Sequence, residues 1–166
     1  AVASDAAHPV EILKAAYHHK GAAVCEILQN CMIFNNGAYD PIYTREGRSK
    51  NAIYVEDGKP LVFGSNNEYG LVQEGFGLKV VEIGKDGYTI DDVLVHESHT
   101  PDNTLQLKLA MMDNEHGFPV ALGVIRDVEA PTYDDAVNQQ IEDVKKQKPY
   151  HNFTELLETN DIWEVK

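Results

Sequence analysis

Between residues 8 and 20 the apolar positions Val10, Leu13, Ala16 and Tyr17 recur with the spacing of one helix face. Pro9 fits the first helical position, Glu11 the first turn, Lys20 the end that favours a cation, and Gly21 the stop, so the pattern predicts a helix over 8–20. Residues 22–28 are apolar apart from Glu26, the pattern of a strand covered on both faces. A helix followed at once by a buried strand is half of a βαβ unit, whose first strand is expected upstream of residue 1.

Beyond Asn36-Gly37 the texture changes to short β segments joined by glycine-rich turns. Residues 51–55 and 60–63 flank Glu56-Asp57-Gly58-Lys59, and residues 69–73 and 78–83 flank Glu74-Gly75-Phe76-Gly77, which reads as two hairpins. Lys85-Asp86-Gly87 is a further turn, and residues 89–94 are either a short capped helix or the approach to a strand ending near His96. Helical texture returns at Thr100-Pro101-Asp102, with Leu105, Leu107, Leu109, Met111 and Met112, and closes before Gly117. A strand over 119–126 follows. Thr132 then caps a helix that carries Val137, Ile141 and Val144 on one face and ends in Lys145, Lys146 and Lys148 before Pro149. Asn152 and Glu155 open a last short helix.

Charge narrows the range of partners. Fourteen Lys and Arg stand against 27 Asp and Glu, a formal charge of -13, which disfavours nucleic acid or an anionic membrane surface and suits a basic protein or cationic patch. No apolar run approaches the ~20 residues of a membrane span, and the first residues lack a signal peptide's charged and greasy parts, so a cytoplasmic location is expected. The chain opens on Ala1 without a methionine and reads as a piece of something longer.

Candidate chemistry starts with the two cysteines. An extended path from 25 to 31 would hold them ~20 Å apart, against the ~5.5 Å that a bridge needs, so two reduced thiols are expected. Cys25 falls inside the apolar strand and reads as core. Cys31 falls at the strand's carboxyl end, where ligands of open α/β sheets collect, beside the amides of Gln29, Asn30 and Asn35. It suits either a thiolate ligand of a metal or cluster, or a small buried hydrophobe. His96-Glu97-Ser98-His99 is not a His-Glu-x-x-His zinc signature, because its rings stand three apart. Exposed polar residues at a strand end are the expectation there, with a small zinc hydrolase using His96 and His99 as the competing idea. Neither a nucleotide-binding glycine loop nor a Gly-x-Ser-x-Gly elbow is present.

The run from Lys20-Gly21 through Glu26-Ile27 and Gln29-Asn30-Cys31-Met32-Ile33-Phe34-Asn35-Asn36-Gly37-Ala38-Tyr39 resembles the carboxyl-terminal part of the β subunit of 2-oxoacid:ferredoxin oxidoreductases. Gly123-Val124-Ile125-Arg126 with Pro131-Thr132-Tyr133, and Val95-His96-Glu97, are similar to segments of the long, 2-oxoglutarate-type members, so the likeness extends in order over nearly the whole chain. It implies an α/β fold: the end of a thiamine diphosphate-binding sheet domain over residues 1–40, then β-hairpins and a C-terminal α+β extension over 41–166.

The same resemblance implies oxidative decarboxylation of a 2-oxoacid, 2-oxoglutarate or pyruvate, with coenzyme A. Electrons would pass through a four-iron four-sulfur cluster to ferredoxin, alongside an α or α–γ partner subunit. Cys31 matches the family's fourth cluster ligand, and Asn30 and Asn35 would shape the cofactor pocket. The family's Gly-Asp-Gly segment for thiamine diphosphate and Mg²⁺ and its Cys-x-x-Cys do not occur in this sequence, so this stretch alone is expected to bind no cofactor and to be inactive. The alternative is an independent acidic interaction or regulatory module without catalysis.

Overall fold

A computed structural model describes residues 1–159, Trp163 and Val165. Helix α1 spans His8–His18, α2 Asp40–Tyr43 and α3 Arg45–Asn51; strands β1 (Ala52–Val55), β2 (Val62–Phe63), β3 (Tyr69–Glu74) and β4 (Gly77–Glu82) follow. Helix α4 covers Thr104–Ala110, β5 Val120–Gly123, α5 Tyr133–Gln147 and α6 Phe153–Leu157. The chain divides into two units, residues 1–19 with 23–129, and residues 20–22 with 130–166. Among the described residues no helix is long and apolar enough to cross a membrane.

Two sheets build the larger unit. Strands β1 and β5 pair in parallel, with Ile53 opposite Ala121 and Val55 opposite Gly123. Strands β2, β3 and β4 form an antiparallel sheet in that order. Because side chains alternate along a strand, β1 serves two clusters. Ile53 and Val55 join Leu61, Phe63, Leu71, Val93, Leu109 and Met112. Ala52, on the opposite face, joins Val2, Ile42 and Leu122. The mixed parallel and antiparallel arrangement is the expected α/β class.

The β3–β4 hairpin forms as the sequence reads, with Glu74 opposite Gly77 and Gly75 at φ +57° in the tip. The 85–87 turn also forms, closed by the Tyr88 amide on the Lys85 carbonyl. Thr89 and Asp92 cap a short 3-10 turn over Ile90–Asp92, so a capped turn and a strand-like approach both occur there, the latter as a bridge from Val95 to Pro60. In the smaller unit, Thr132 accepts from the Asp135 amide and Asn152 from the Glu155 amide, capping α5 and α6 where expected.

Several expectations are corrected. The 56–59 turn is real, yet its flanking strands do not pair. β1 bonds instead to β5, and Leu61 donates to the Leu94 carbonyl, so the first hairpin is replaced by two longer-range pairings. Two short helices precede β1 where β texture was expected; Thr44 caps the second by accepting from the Gly47 amide. The helix expected from Thr100 begins at Thr104, after Asp102 accepts from the Thr104 amide and hydroxyl. Residues 22–28 form no strand and are not covered. Val24 is 95% exposed, Cys25 is only partly buried, and pairing is limited to the far end, where Val2 bridges Leu28 in parallel. Residues 1–3 lie beside this end, with bonds from the Leu28 amide to the Ala1 carbonyl and from the Ala3 amide to the Leu28 carbonyl. Helix α1 turns His8, Ile12, Ala15 and Ala16 inward, whereas Val10, Leu13 and Tyr17 face solvent.

Candidate functional site

Cys31 stands three residues beyond Leu28, at the carboxyl end of the parallel-paired segment, as the order of apolar run and turn requires. The chain reverses there: the Asn35 amide donates to the Cys31 carbonyl at 3.0 Å, and Cys31 and Asn35 form a bridge. This folds the backbone back over the sulfur, so that the Phe34 amide donates to Sγ at 3.5 Å. The Phe34 N–H, then that of Ile33, favour the thiolate and lower the thiol's pKa; burial opposes them, and the Asn35 N–H adds a lesser lowering. Amide donation to sulfur is also what tunes a cluster-bound thiolate.

The neighbouring amides have separate tasks. Asn30 donates to the Asn36 side chain at 3.0 Å and accepts from the Gly37 amide at 2.9 Å, which ties both ends of the turn together. Asn35 leaves its side chain exposed. Met32, Ile33 and Phe34 project into solvent, with Phe34 90% exposed, so the thiol sits on an apolar, open tip. Both cysteines are free. Among the described residues no group of three or more His, Cys, Asp or Glu could hold a metal ion.

A second constellation lies elsewhere and is missed by motif reading. At the carboxyl ends of β1 and β5 a crevice of about 490 Å³ is bounded by Tyr54, Val55, Glu56 and Asp57 from the first strand's end, Gly123, Val124 and Asp127 from the second, Ser98 and His99, and His8, Glu11 and Ile12 of α1. Gly123, at φ +138°, makes the close pairing possible: a Cβ there would lie 2.4 Å from the Val55 carbonyl oxygen.

The histidines of residues 96–99 do not form an exposed pair. His96 is 0% exposed and donates from Nε2 to the Val124 carbonyl at 2.9 Å, while its Nδ1 has no partner among the described residues. Ser98 is also buried, and its amide and hydroxyl donate to Asp57 Oδ1 at 2.7 and 2.9 Å. Those two bonds, the amide first, hold the Asp57 carboxyl below its ordinary pKa. Only His99 is open, with Nδ1 donating to the Asp127 carbonyl at 2.7 Å. The two-histidine zinc idea fails because His96 is committed to the β5 side of the core. The available signal was the position of 96–99 beyond an apolar run, but the pairing that buries His96 joins distant segments.

The chain is 36% identical, over 99% of its length, to the 2-oxoglutarate oxidoreductase subunit KorB of Mycobacterium tuberculosis. It spans 44% of that relative and corresponds to its C-terminal part. No protein-family model matches the chain, and no solved structure does.

Proposed function

We propose, from the 36% identity over 99% of its length to a 2-oxoglutarate oxidoreductase subunit, that the chain is the C-terminal part of a 2-oxoacid oxidoreductase β subunit and supplies Cys31 as one ligand of a four-iron four-sulfur cluster. The single observation that carries this reading is the turn itself: a partly exposed thiol beyond a parallel bridge, with a backbone N–H on its sulfur and its pKa lowered by that donation. The donor set fits a shared cluster rather than a site complete within these residues, since one thiolate cannot hold iron alone. When bound, the cluster supplies one-electron transfer. The residues of this chain orient one sulfur through the Phe34 amide and brace the turn through Asn30.

The reaction follows from the same reading. The intact enzyme oxidatively decarboxylates a 2-oxoacid, 2-oxoglutarate in the first instance, with coenzyme A, thiamine diphosphate and Mg²⁺, and passes the electrons to ferredoxin. An α or α–γ partner subunit completes it, in the cytoplasm. The relative is itself named as a subunit, which supports an assembly of several chains. Asn35, whose side chain is exposed, and Asn30, with one N–H left free by the turn, are the residues that would shape the pocket of a bound cofactor. In the intact complex, Cys31→Ser is expected to abolish 2-oxoglutarate-dependent and coenzyme A-dependent reduction of ferredoxin while leaving subunit assembly unchanged by size-exclusion chromatography. Wild-type turnover in that variant would overturn the assignment.

A further inference from the structure

Helix α5 keeps an apolar seam half open. Val137, Ile141 and Val144 recur along one side with Tyr133 at the margin, the spacing of a face made for packing. Yet no residue of the helix is buried: Ile141 is 45% exposed, Val144 43% and Tyr133 85%. A helix of 15 residues is marginal in water when left to itself, so such a face is stabilised by something laid against it.

The charges beside the seam identify what fits. At 3.6 residues per turn, Asp134 and Lys145 stand about 60° and 80° round from Val137, along the same edge of the seam. The opposite edge, with Ala136, Gln140 and Gln147, is neutral. Two such helices laid parallel would set Asp134 against Asp134 and Lys145 against Lys145. Laid antiparallel, with the crossing near Gln140 and Ile141, they place Val137 opposite the other copy's Val144 and bring each Asp134 beside the other's Lys145. Lys145 already meets Glu142 at 2.7 Å, but that pair is exposed and little is lost when the lysine turns to a new partner. The formal charge of -13 on each copy acts at longer range and is screened within ~8 Å at 0.15 M salt, whereas the edge pairs act in contact.

We propose that α5 is a self-association surface: two copies of this chain pair through antiparallel α5 helices, with Ile141 near the centre and an Asp134–Lys145 pair at each end. One helix face makes a small interface, so the dimer is weak and concentration-dependent. The pairing engages no residue of the Cys31 turn, and the two readings stand or fall separately.

Sedimentation equilibrium of the full chain in 0.15 M salt tests the pairing. The weight-average mass should climb from 18.5 kDa toward twice that value between about 10 µM and 1 mM protein. Ile141→Glu, which sets a charge inside the seam, should weaken association roughly tenfold or more, with helix content by circular dichroism unchanged. Asp134→Lys and Lys145→Glu should each weaken it severalfold, because each brings like charges together across the antiparallel pair. A parallel pair, already like against like, would be indifferent to either change. An equimolar mixture of those two variants should associate more tightly than either alone, which damage to the helix would not produce. A mass that stays at 18.5 kDa would leave the face to another chain of the assembled enzyme and overturn the proposal. Association unweakened by Ile141→Glu, indifference to both charge reversals, or no recovery in the mixture would overturn it as well.

Discussion

The Cys31 turn and the crevice beyond β1 and β5 both lie at the carboxyl end of parallel-paired backbone, but they are built in opposite ways. The turn takes its chemistry from a few consecutive residues and leaves Met32, Ile33 and Phe34 in solvent. The crevice draws its groups from α1, the β1 end, residues 98–99 and the β5 end, and rests on the buried side chains of Ser98 and His96. A locally encoded turn can offer one ligand to something outside itself. A crevice assembled across the fold rests instead on pairings between distant segments.

The largest effect expected from this contrast is on stability. Ile53, fully buried in the larger cluster, should cost roughly 2–5 kcal/mol when changed to alanine. Phe34→Ala should stay within about 0.5 kcal/mol, as for a surface substitution. Urea unfolding of the two variants measures both, and equal losses would mean that the turn is packed in solution. Next comes Gly123→Ala. Its positive φ alone costs about 1–3 kcal/mol in a residue with a side chain, and the encounter with the Val55 carbonyl adds to this. The same denaturation curve should show it, together with broadened resonances at Asp57 and Val124; a neutral result would remove the close β1–β5 approach.

Smaller still is a pH effect on the crevice wall. Burial, followed by the positive N-terminus, holds the His8 imidazole below its ordinary 6.5, and its Nδ1 has no partner among the described residues. As pH falls, the unfolded chain takes up this proton before the native one does. The contribution is therefore present above about pH 6.5 and is lost as pH drops through the native value. The urea midpoint should decline from pH 7.5 to 5, and the decline should shrink in His8→Gln. An unchanged slope would show that His8 is hydrated in both states.

Local signals were readable wherever one stretch of chain decides its own shape. Gly75-Phe76 defined the β3–β4 tip, Thr132 and Asn152 the starts of α5 and α6, and Gly21 the region where α1 gives way. Cys31 could be located for the same reason, since its setting is the end of an apolar run followed by a polar turn. What could not be read is pairing between distant segments. Nothing in residues 51–55 states that their partner is Val120–Gly123 rather than the next apolar run, and that choice is what buries His96 and gathers Asp57, Ser98 and His99. The α1 face failed by a subtler route: His8, Ile12 and Ala15 form a second face opposite Val10, Leu13 and Tyr17, and hydrophobicity alone favoured the wrong one.

Iron and acid-labile sulfide counted per β subunit, in the intact complex carrying Cys31→Ser or Cys25→Ser, tests the reading of the turn most directly. The Cys31 variant should lose the cluster and its visible absorbance, whereas the Cys25 variant, altered in a residue outside the turn, should keep both. A full cluster in the Cys31 variant, or its loss in the Cys25 variant alone, would contradict the assignment of Cys31 as the ligand.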